Sequence, residues 1–278
     1  MKLYVSCDME GTAGVCSWQQ CDPDNRHEYP IYRRYMTQEV AAAIAGAREA
    51  GVREVLVNDS HWAMRNLIFD ELPPDDGLRV VSGSPKPFSM GQGLDASFDA
   101  VFFTGYHAKS GDVGTLSHTS SPETIYAVSV NGTPCSEALL YAALAGSYGV
   151  PVALVTGDSA IVEEARSFLP WASGVAVKTP IGYTAVDSLT PAAAREAIRD
   201  GARRAIRSLG DAKPFAFEPP FRLRIETAAV ENADFIELMP GFIRTGGRSV
   251  EFAAPEYRAV LQAFLVATRL GGAANAIA

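Results

Sequence analysis

The sequence predicts an α/β fold: a mostly parallel sheet with helices on both faces, followed by a smaller α+β domain at the C-terminal end. Over the first two-thirds of the chain, short apolar runs alternate with segments of helical period, which is typical of a parallel sheet with crossover helices. The predicted strands are LYVSC, EVLVN, LRVVS, AVFFTGY, TIYAVSV, PVALVTG and GVAVK. After Pro180 this alternation ends, and long helices and turn-rich stretches take its place.

Helix signals lie between several of these runs. The segments with helical period are TQEVAAAIAGAREAGV, SEALLYAALAGSYGV and SAIVEEARSFLP. Thr37 is the expected N-cap of the first helix and Gly51 its expected stop, because threonine favours the start of a helix and glycine the position just after its end.

The last third of the chain has a different organisation. Thr190 and Pro191 open a long predicted helix, and the breaker-rich stretch DAKPFAFEPP follows it. A strand, FRLRIETA, a turn-rich stretch and a last helix, PEYRAVLQAFLVATRL, complete the chain. We therefore predict two domains, an α/β domain over residues 1–185 and a smaller α+β domain over residues 186–278.

Composition excludes several classes of function. The chain of 278 residues is 47% hydrophobic and 20% charged, with a formal net charge of −8 and no basic run, so nucleic acid is not an expected partner. No window approaches the roughly 18 apolar residues of a membrane span, so we expect a cytoplasmic protein with no membrane partner. The four cysteines form neither a disulfide framework nor a paired zinc motif, and free thiols are expected.

Acidic and imidazole side chains follow the predicted strands. In open α/β sheets, ligands bind beyond the carboxyl ends of the strands, so residues at those ends are candidates for chemistry. The residues at or just after the strand ends are Asp8, Glu10, Asn58, Asp59, His61, His107 and Asp158. His118 lies in a loop of small polar residues eleven positions after His107, and Glu137 lies in the first turn of a predicted helix.

Each of these residues has an ordinary structural interpretation when taken alone. A strand-end Asp is commonly a turn or cap residue, a loop histidine is commonly solvated, and Glu137 fits a favourable interaction with a helix dipole. Together they indicate a metal site, because clustered carboxylates repel one another unless a cation lies among them. Mixed imidazole and carboxylate ligands fit zinc, manganese or cobalt better than magnesium or calcium. Five candidate ligands exceed the needs of one tetrahedral zinc, which favours two metals bridged by one carboxylate.

Two alternatives compete with this interpretation. The stretch YVSCDMEGT resembles the first motif of haloacid-dehalogenase-like phosphatases, in which Asp8 would be the nucleophile of a magnesium-dependent reaction. Glu10 replaces the second acid of that motif, Val162 stands where a later acid is expected, and the histidines have no function there. The other alternative is a non-enzymatic α/β module that binds a small cationic ligand at its polar edge.

The whole set of motifs resembles the M55 family of metallopeptidases, the D-aminopeptidases. The matching stretches are DMEGTAG, VNDSH, PKPFSMGQGLD, GYHAKSGDVGTLSHT, VNGTPCSEALLYA and LMPGFIRTGGRSVEF, in family order and over nearly the whole chain. The resemblance implies a zinc aminopeptidase that hydrolyses short peptides with an N-terminal D-residue such as D-Ala. It also implies an α/β catalytic domain, a smaller C-terminal domain that contributes to oligomerisation or to the substrate site, and a homo-oligomer, a decamer of two stacked pentamers.

The resemblance also implies a function for each site residue. Asp8 would bridge two zinc ions per subunit, and His118 would be the catalytic nucleophile. The remaining zinc ligands would be Glu10, His61, His107 and Glu137. Residue chemistry leaves a second possibility open: zinc lowers the pKa of a bound water to about 7, so His118 could be a general base or an oxyanion donor instead. Asp158 is a candidate for binding the substrate amino group, and Lys178 either binds a substrate carboxylate or is an ordinary surface lysine.

Overall fold

The computed structural model describes residues 1–276, which form two β-sheets flanked by helices. The strands are β1 (Lys2–Cys7), β2 (Glu54–Asp59), β3 (Leu78–Val81), β4 (Ala100–Tyr106), β5 (Ile125–Val130), β6 (Thr133–Pro134), β7 (Val152–Asp158), β8 (Ser173–Gly182), β9 (Ala185–Ser188), β10 (Phe221–Thr227), β11 (Ile243–Gly246) and β12 (Ser249–Ala254). The helices are α1 (Trp18–Cys21), α2 (Tyr29–Glu49), α3 (Glu137–Ser147), α4 (Ser159–Phe168), α5 (Pro191–Arg207), α6 (Val230–Ile236) and α7 (Tyr257–Gly272).

The larger sheet has seven strands in the order β3-β2-β1-β4-β7-β8-β9. All neighbouring pairs are parallel except β8 and β9, which form an antiparallel pair at one edge. The predicted α/β fold with a mostly parallel sheet is confirmed. Strand β1 lies between β2 and β4, and Cys7 at its end pairs with Asp59 on β2 and with Thr104 on β4. The carboxyl ends of these three strands are therefore level with one another.

Helices and apolar side chains cover both faces of this sheet. Successive side chains of a strand point to opposite faces, so Leu3 and Val5 enter one core and Tyr4 enters the other. Helices α2 and α5 contribute to the first core, which they share with one face of the larger sheet. Helices α3 and α4 contribute to the second core, together with the smaller sheet and α7. Burial on both faces explains why the strands read as continuous apolar runs.

The smaller sheet has five strands in the order β11-β12-β10-β5-β6, all antiparallel. The run TIYAVSV is β5 and belongs to this sheet, whereas the sequence pattern grouped it with the alternating strands of the parallel sheet. Its partner β6 follows after the two-residue turn Asn131–Gly132, in which both residues have positive φ. Asn-Gly is a strong hairpin signal, and a hairpin makes the next strand antiparallel.

The two sheets do not divide the chain at residue 185. Strands β5 and β6 come from the predicted first domain but join the smaller sheet. Strand β9 and helix α5, which come at or after residue 185, belong to the larger sheet and its core. The boundary between residues 185 and 186 stays a prediction, and residues 277 and 278 of the predicted second domain lie outside the described residues.

The first long helix begins earlier than its sequence indicates. Helix α2 starts at Tyr29, with Pro30 in its first turn, so the expected N-cap at Thr37 was wrong. The Thr37 hydroxyl instead donates to the carbonyl of Arg33 one turn back, a bond that satisfies a threonine inside a helix. Gly51 does follow the end of the helix, with φ of 97°. Across residues 1–276, none of the helices has the length and apolarity needed to span a membrane.

Strands β1 and β4 approach each other unusually closely at their ends. Gly105 has φ of 69°, and a Cβ added there would lie 2.1 Å from the carbonyl oxygen of Asp8. The Asp8 amide donates to the carbonyl of Thr104 at 2.8 Å, and the Gly11 amide donates to the carbonyl of Gly105 at 2.8 Å. These contacts fix the position of the backbone of Asp8 relative to β4.

Gly105→Ala is expected to lower the free energy of unfolding by about 3–5 kcal/mol, because it combines a positive φ with a steric overlap on backbone. Gly132→Ala is the matched control: its φ is 81°, but a Cβ there meets nothing within 4 Å. It should cost only about 1–2 kcal/mol, the penalty for the backbone conformation alone. Chemical denaturation of both variants measures their free energies of unfolding. Equal losses of that free energy would show that the backbone adjusts at the close approach of β1 and β4.

Candidate metal centre

Three neighbouring strands deliver four polar side chains to one edge of the larger sheet. Asp8 and Glu10 follow β1, His61 follows β2 and His107 follows β4. Because β1 lies between β2 and β4, the side chain of Asp8 lies between the two histidines. All four are buried, with exposed fractions of 2–3%.

The two carboxylate oxygens of Asp8 face different histidines. Oδ1 lies 3.4 Å from His61 Nδ1, and Oδ2 lies 3.4 Å from His107 Nε2. The amide of Met9 also donates to Oδ1 at 2.9 Å, which fixes the orientation of the carboxylate. One carboxylate between two imidazoles is the arrangement needed to bridge two cations.

Each histidine has a second carboxylate beside it. Glu10 Oε2 lies 3.0 Å from His61 Nδ1, and Glu137 Oε2 lies 3.7 Å from His107 Nε2. Glu137 is the first residue of α3, because Ser136 caps the helix by accepting from the amide of Leu139. The other oxygen of Glu137 accepts a hydrogen bond of 2.5 Å from the amide of Ser120. The cluster thus divides into a His61–Glu10 side and a His107–Glu137 side that share Asp8.

Backbone carbonyls determine which nitrogen of each histidine faces the cluster. His61 Nε2 lies 2.9 Å from the carbonyl of Cys21, and His107 Nδ1 lies 2.9 Å from the carbonyl of Ala108. A carbonyl only accepts, so these two nitrogens carry the hydrogen. In the neutral rings, the opposite nitrogens present lone pairs to the carboxylates. A backbone carbonyl that accepts from the other ring nitrogen is typical of histidines that bind metals.

The donor set fits a pair of divalent cations. Lone pairs of nitrogen and oxygen that face each other at 3.0–3.7 Å require a positive charge between them. Glu10 Oε2 and His107 Nε2 are among the ten buried side-chain atoms of the described residues that have no hydrogen-bond partner. Imidazole nitrogen together with carboxylate oxygen is a donor combination that suits zinc.

Without a cation, protons take its place. Burial lowers the pKa of His61, but Glu10 and Asp8 outweigh it and hold that pKa well above its usual value. The pKa of His107 is also raised, since burial is outweighed by Asp8 and Glu137. Burial raises the pKa of Asp8, yet the two histidines hold it well below its ordinary range. Metal binding to this cluster would therefore release protons.

His118 lies against the cluster with a free nitrogen directed towards it. Its Nδ1 donates to the carbonyl of Leu116 at 2.7 Å, and its Nε2 lies 4.0 Å from Glu10 Oε1. The ring stacks on His107, with centroids 4.1 Å apart and planes 5° apart, and the indole of Trp18 contacts it edge-on at 4.9 Å. Burial and the charge of His107 lower the pKa of His118, which favours the neutral ring.

The short helix α1 supplies two contacts that sequence reasoning missed. Trp18 at its start packs on His118, and Cys21 at its end contributes the carbonyl that orients His61. The Cys21 sulfur also lies within 4.8 Å of ligand atoms of Glu10 and His61. A lone cysteine between β1 and α2 carries no sequence signal of this position, because tertiary packing places α1. The four cysteines are all unpaired, as expected.

The side chains of Asp158 and Lys178 form hydrogen bonds with backbone groups. Asp158 caps α4 by accepting from the amide of Ile161 at 2.9 Å, and its side chain is fully buried. Lys178 is only 3% exposed, so the alternative that it is an ordinary surface lysine was wrong. Its ammonium donates to three backbone carbonyls and has no free hydrogen for a substrate carboxylate.

The chain is similar to known peptidases in sequence and in fold. The sequence model of the M55 peptidases, described as D-aminopeptidase, matches residues 1–266. A D-aminopeptidase of Bacillus subtilis (strain 168) is 40% identical over 276 residues, which is 97% of this chain and 97% of that protein. A solved structure, described as the Zn-dependent D-aminopeptidase DppA from Bacillus subtilis, a self-compartmentalizing protease, superposes with a TM-score of 0.94. It is 38% identical and covers 98% of both chains.

These similarities confirm the resemblance on which the sequence analysis relied. They give no support to a haloacid-dehalogenase-like phosphatase or to a non-enzymatic binding module. The matches cover both sheets and every residue of the buried cluster. The chain belongs to the M55 peptidase family, the D-aminopeptidases.

Proposed function

We propose that the protein is a dinuclear zinc aminopeptidase that removes an N-terminal D-amino acid, such as D-Ala, from short peptides. The observation that carries this proposal is the carboxylate of Asp8, whose two oxygens face His61 and His107 separately. The Zn-dependent relative and the family of the chain support the metal and the reaction. A magnesium phosphatase would need oxygen ligands alone and would leave both imidazoles without a function.

The ligand assignment follows the two sides of the cluster. Asp8 would contribute to both sites, Glu10 and His61 would hold one zinc ion, and His107 and Glu137 would hold the other. When bound, zinc polarises a carbonyl group and makes water a competent nucleophile at neutral pH. The carbonyls of Cys21 and Ala108 keep the two imidazoles in the tautomers that bind metal.

His118 is the catalytic residue of this proposal. Its Nδ1–H is engaged with Leu116, so Nε2 holds the lone pair that faces the cluster. That nitrogen has two possible functions, attack on the substrate carbonyl or acceptance of a proton from the attacking water. Both require the neutral ring that burial favours.

The proposal extends to assembly and location. We propose a cytoplasmic homo-oligomer, a decamer of two stacked pentamers, with no nucleic-acid or membrane partner. The description of the Bacillus relative as a self-compartmentalizing protease supports an oligomer for that protein and, by similarity, for this chain. Light scattering coupled to size-exclusion chromatography gives the number of subunits directly.

A pair of chromogenic substrates tests the reaction. We expect the zinc-loaded enzyme to release p-nitroaniline from D-Ala-p-nitroanilide, with a lower kcat/KM for the L-Ala compound, and to leave p-nitrophenyl phosphate intact. The chelated enzyme should lose this activity and regain it when zinc is restored. Hydrolysis of the phosphate ester and not of the anilides would overturn the proposed function.

A further inference from the structure

The backbone between β1 and α1 is held by a buried ammonium group. Lys178, on β8, donates hydrogen bonds to the carbonyls of Glu10, Thr12 and Val15; the distances to the last two are 3.1 and 2.6 Å. A lysine ammonium has three hydrogens, and here each has a backbone acceptor. The carbonyl oxygens of residues 10–15 therefore converge on one buried cation.

A buried carboxylate holds the same segment from a different element. Glu39, on α2, accepts from the amide of Ala13 at 2.9 Å and is 2% exposed. Residues 10–15 are thus hydrogen-bonded through their carbonyls to Lys178 of β8 and through an amide to Glu39 of α2. A hydroxyl of the outer strand adds a third contact, since the amide of Gly14 donates to Ser188 Oγ at 2.8 Å.

These contacts have no place in the proposed chemistry. Both ionisable groups are buried, which is costly in free energy unless partners compensate them, and neither is among the residues proposed to hold zinc. What they share is residues 10–15, whose first member supplies the carboxylate beside His61. The Lys178 ammonium binds the carbonyl of the very residue whose side chain is a proposed ligand.

We propose that Lys178 and Glu39 are positioning residues that set the direction of the Glu10 carboxylate and so determine the zinc affinity of the His61–Glu10 side. This inference rests on the proposed dinuclear zinc site. It predicts an asymmetric effect, because Glu137 on the other side is held independently, by α3 and by the amide of Ser120. Loss of the contacts that Lys178 and Glu39 make with residues 10–15 therefore weakens the binding of one zinc ion and leaves the binding of the other unchanged.

Zinc affinity of Lys178→Met tests the inference without any reliance on turnover. The metal-free protein is titrated with zinc against a chromophoric chelator, and metal content is measured after dialysis. We expect one of the two sites to weaken by about 10–100-fold, the usual range for loss of an outer partner, and the other to change by less than about threefold. Zinc content after dialysis should approach one ion per chain.

Control variants separate positioning from general destabilisation. Val250→Ala removes a buried side chain of the smaller sheet, in the other core, whereas Ala13 and Val15 of residues 10–15 belong to the core with α2 and α5. It should lower the unfolding temperature and leave both zinc affinities intact. If Lys178→Met does not fold, the Glu39 pair decides: Glu39→Gln keeps an acceptor for the Ala13 amide and should bind two ions normally, while Glu39→Ala should weaken the same single site.

The outcomes distinguish this inference from the proposed function. A wild-type protein with two tight zinc ions, together with a folded Lys178→Met protein of unchanged affinities, overturns the positioning role and leaves the function standing. Equal weakening of both zinc sites also overturns it, since the side-chain hydrogen bonds of Lys178 and Glu39 reach only residues 10–15. A wild-type protein that binds no zinc removes the basis of both.

Discussion

Replacing His118 by alanine is expected to lower kcat by about 10³-fold or more while the protein retains two zinc ions per chain. The loss is that of a nucleophile or general base at the reacting carbonyl, which commonly contributes about 10²–10⁴-fold. Zinc should be retained because the five proposed ligands remain and His118 Nε2 lies 4.0 Å from the nearest carboxylate oxygen, farther than His61 and His107 lie from theirs. A ligand atom of His118 also lies within 4.8 Å of ligand atoms of His107 and Glu137, so metal analysis decides whether it binds zinc. Steady-state kinetics with D-Ala-p-nitroanilide and metal analysis by plasma mass spectrometry give the two quantities.

His27 provides the matched control. It is the remaining histidine of the chain and is exposed in the turn before α2, away from the cluster. His27→Ala should keep kcat and zinc content within about twofold of the wild type, as is usual for surface substitutions. Loss of zinc from the His118→Ala protein would make His118 a ligand and refute its catalytic assignment.

Asp8→Ala is expected to remove both zinc ions and all measurable activity. Its two oxygens face both histidines, so each side of the cluster loses one of its three proposed ligands, whereas Glu137→Ala removes a ligand from the His107 side alone and should release only that ion. Metal content after dialysis should therefore fall from two ions per chain to none in the first variant and to one in the second.

Two results for the zinc content of these variants would contradict a bridging role of Asp8. Two zinc ions in the Asp8→Ala protein would show that the ions are held without a bridge. One ion in both variants would show that Asp8 serves a single side of the cluster. Circular dichroism of each variant before dialysis confirms that the fold is intact, because a misfolded chain would lose metal for unrelated reasons.

The candidate site could be predicted because its residues follow strands. Apolar runs ending in Asp8, His61 and His107 are local signals, and the rule that parallel strands share a functional edge converts them into a cluster. The strand order could not be obtained in this way. That β1 lies between β2 and β4, and so puts Asp8 between two histidines, depends on pairings between residues some 50–100 positions apart.

Other parts of the fold depend on contacts that a local pattern does not contain. The burial of Lys178 could not be anticipated, because a single lysine after an apolar run resembles a solvated one until the carbonyls of residues 10–15 converge on it. Helix α2 begins at Tyr29 within a segment of mixed polarity, where tertiary packing outweighs weak propensity. The placement of β5 did have a local signal, the turn at Asn131–Gly132, which marks a hairpin.

The measurement that tests the central claim most directly is a crystal of the protein, purified without added metal, recorded on both sides of the zinc absorption edge. The account predicts two anomalous peaks per chain, one on either side of the Asp8 carboxylate, with His61 and Glu10 next to the first and His107 and Glu137 next to the second. A single peak, two peaks that do not share Asp8, or a signal that does not change across the zinc edge would contradict it.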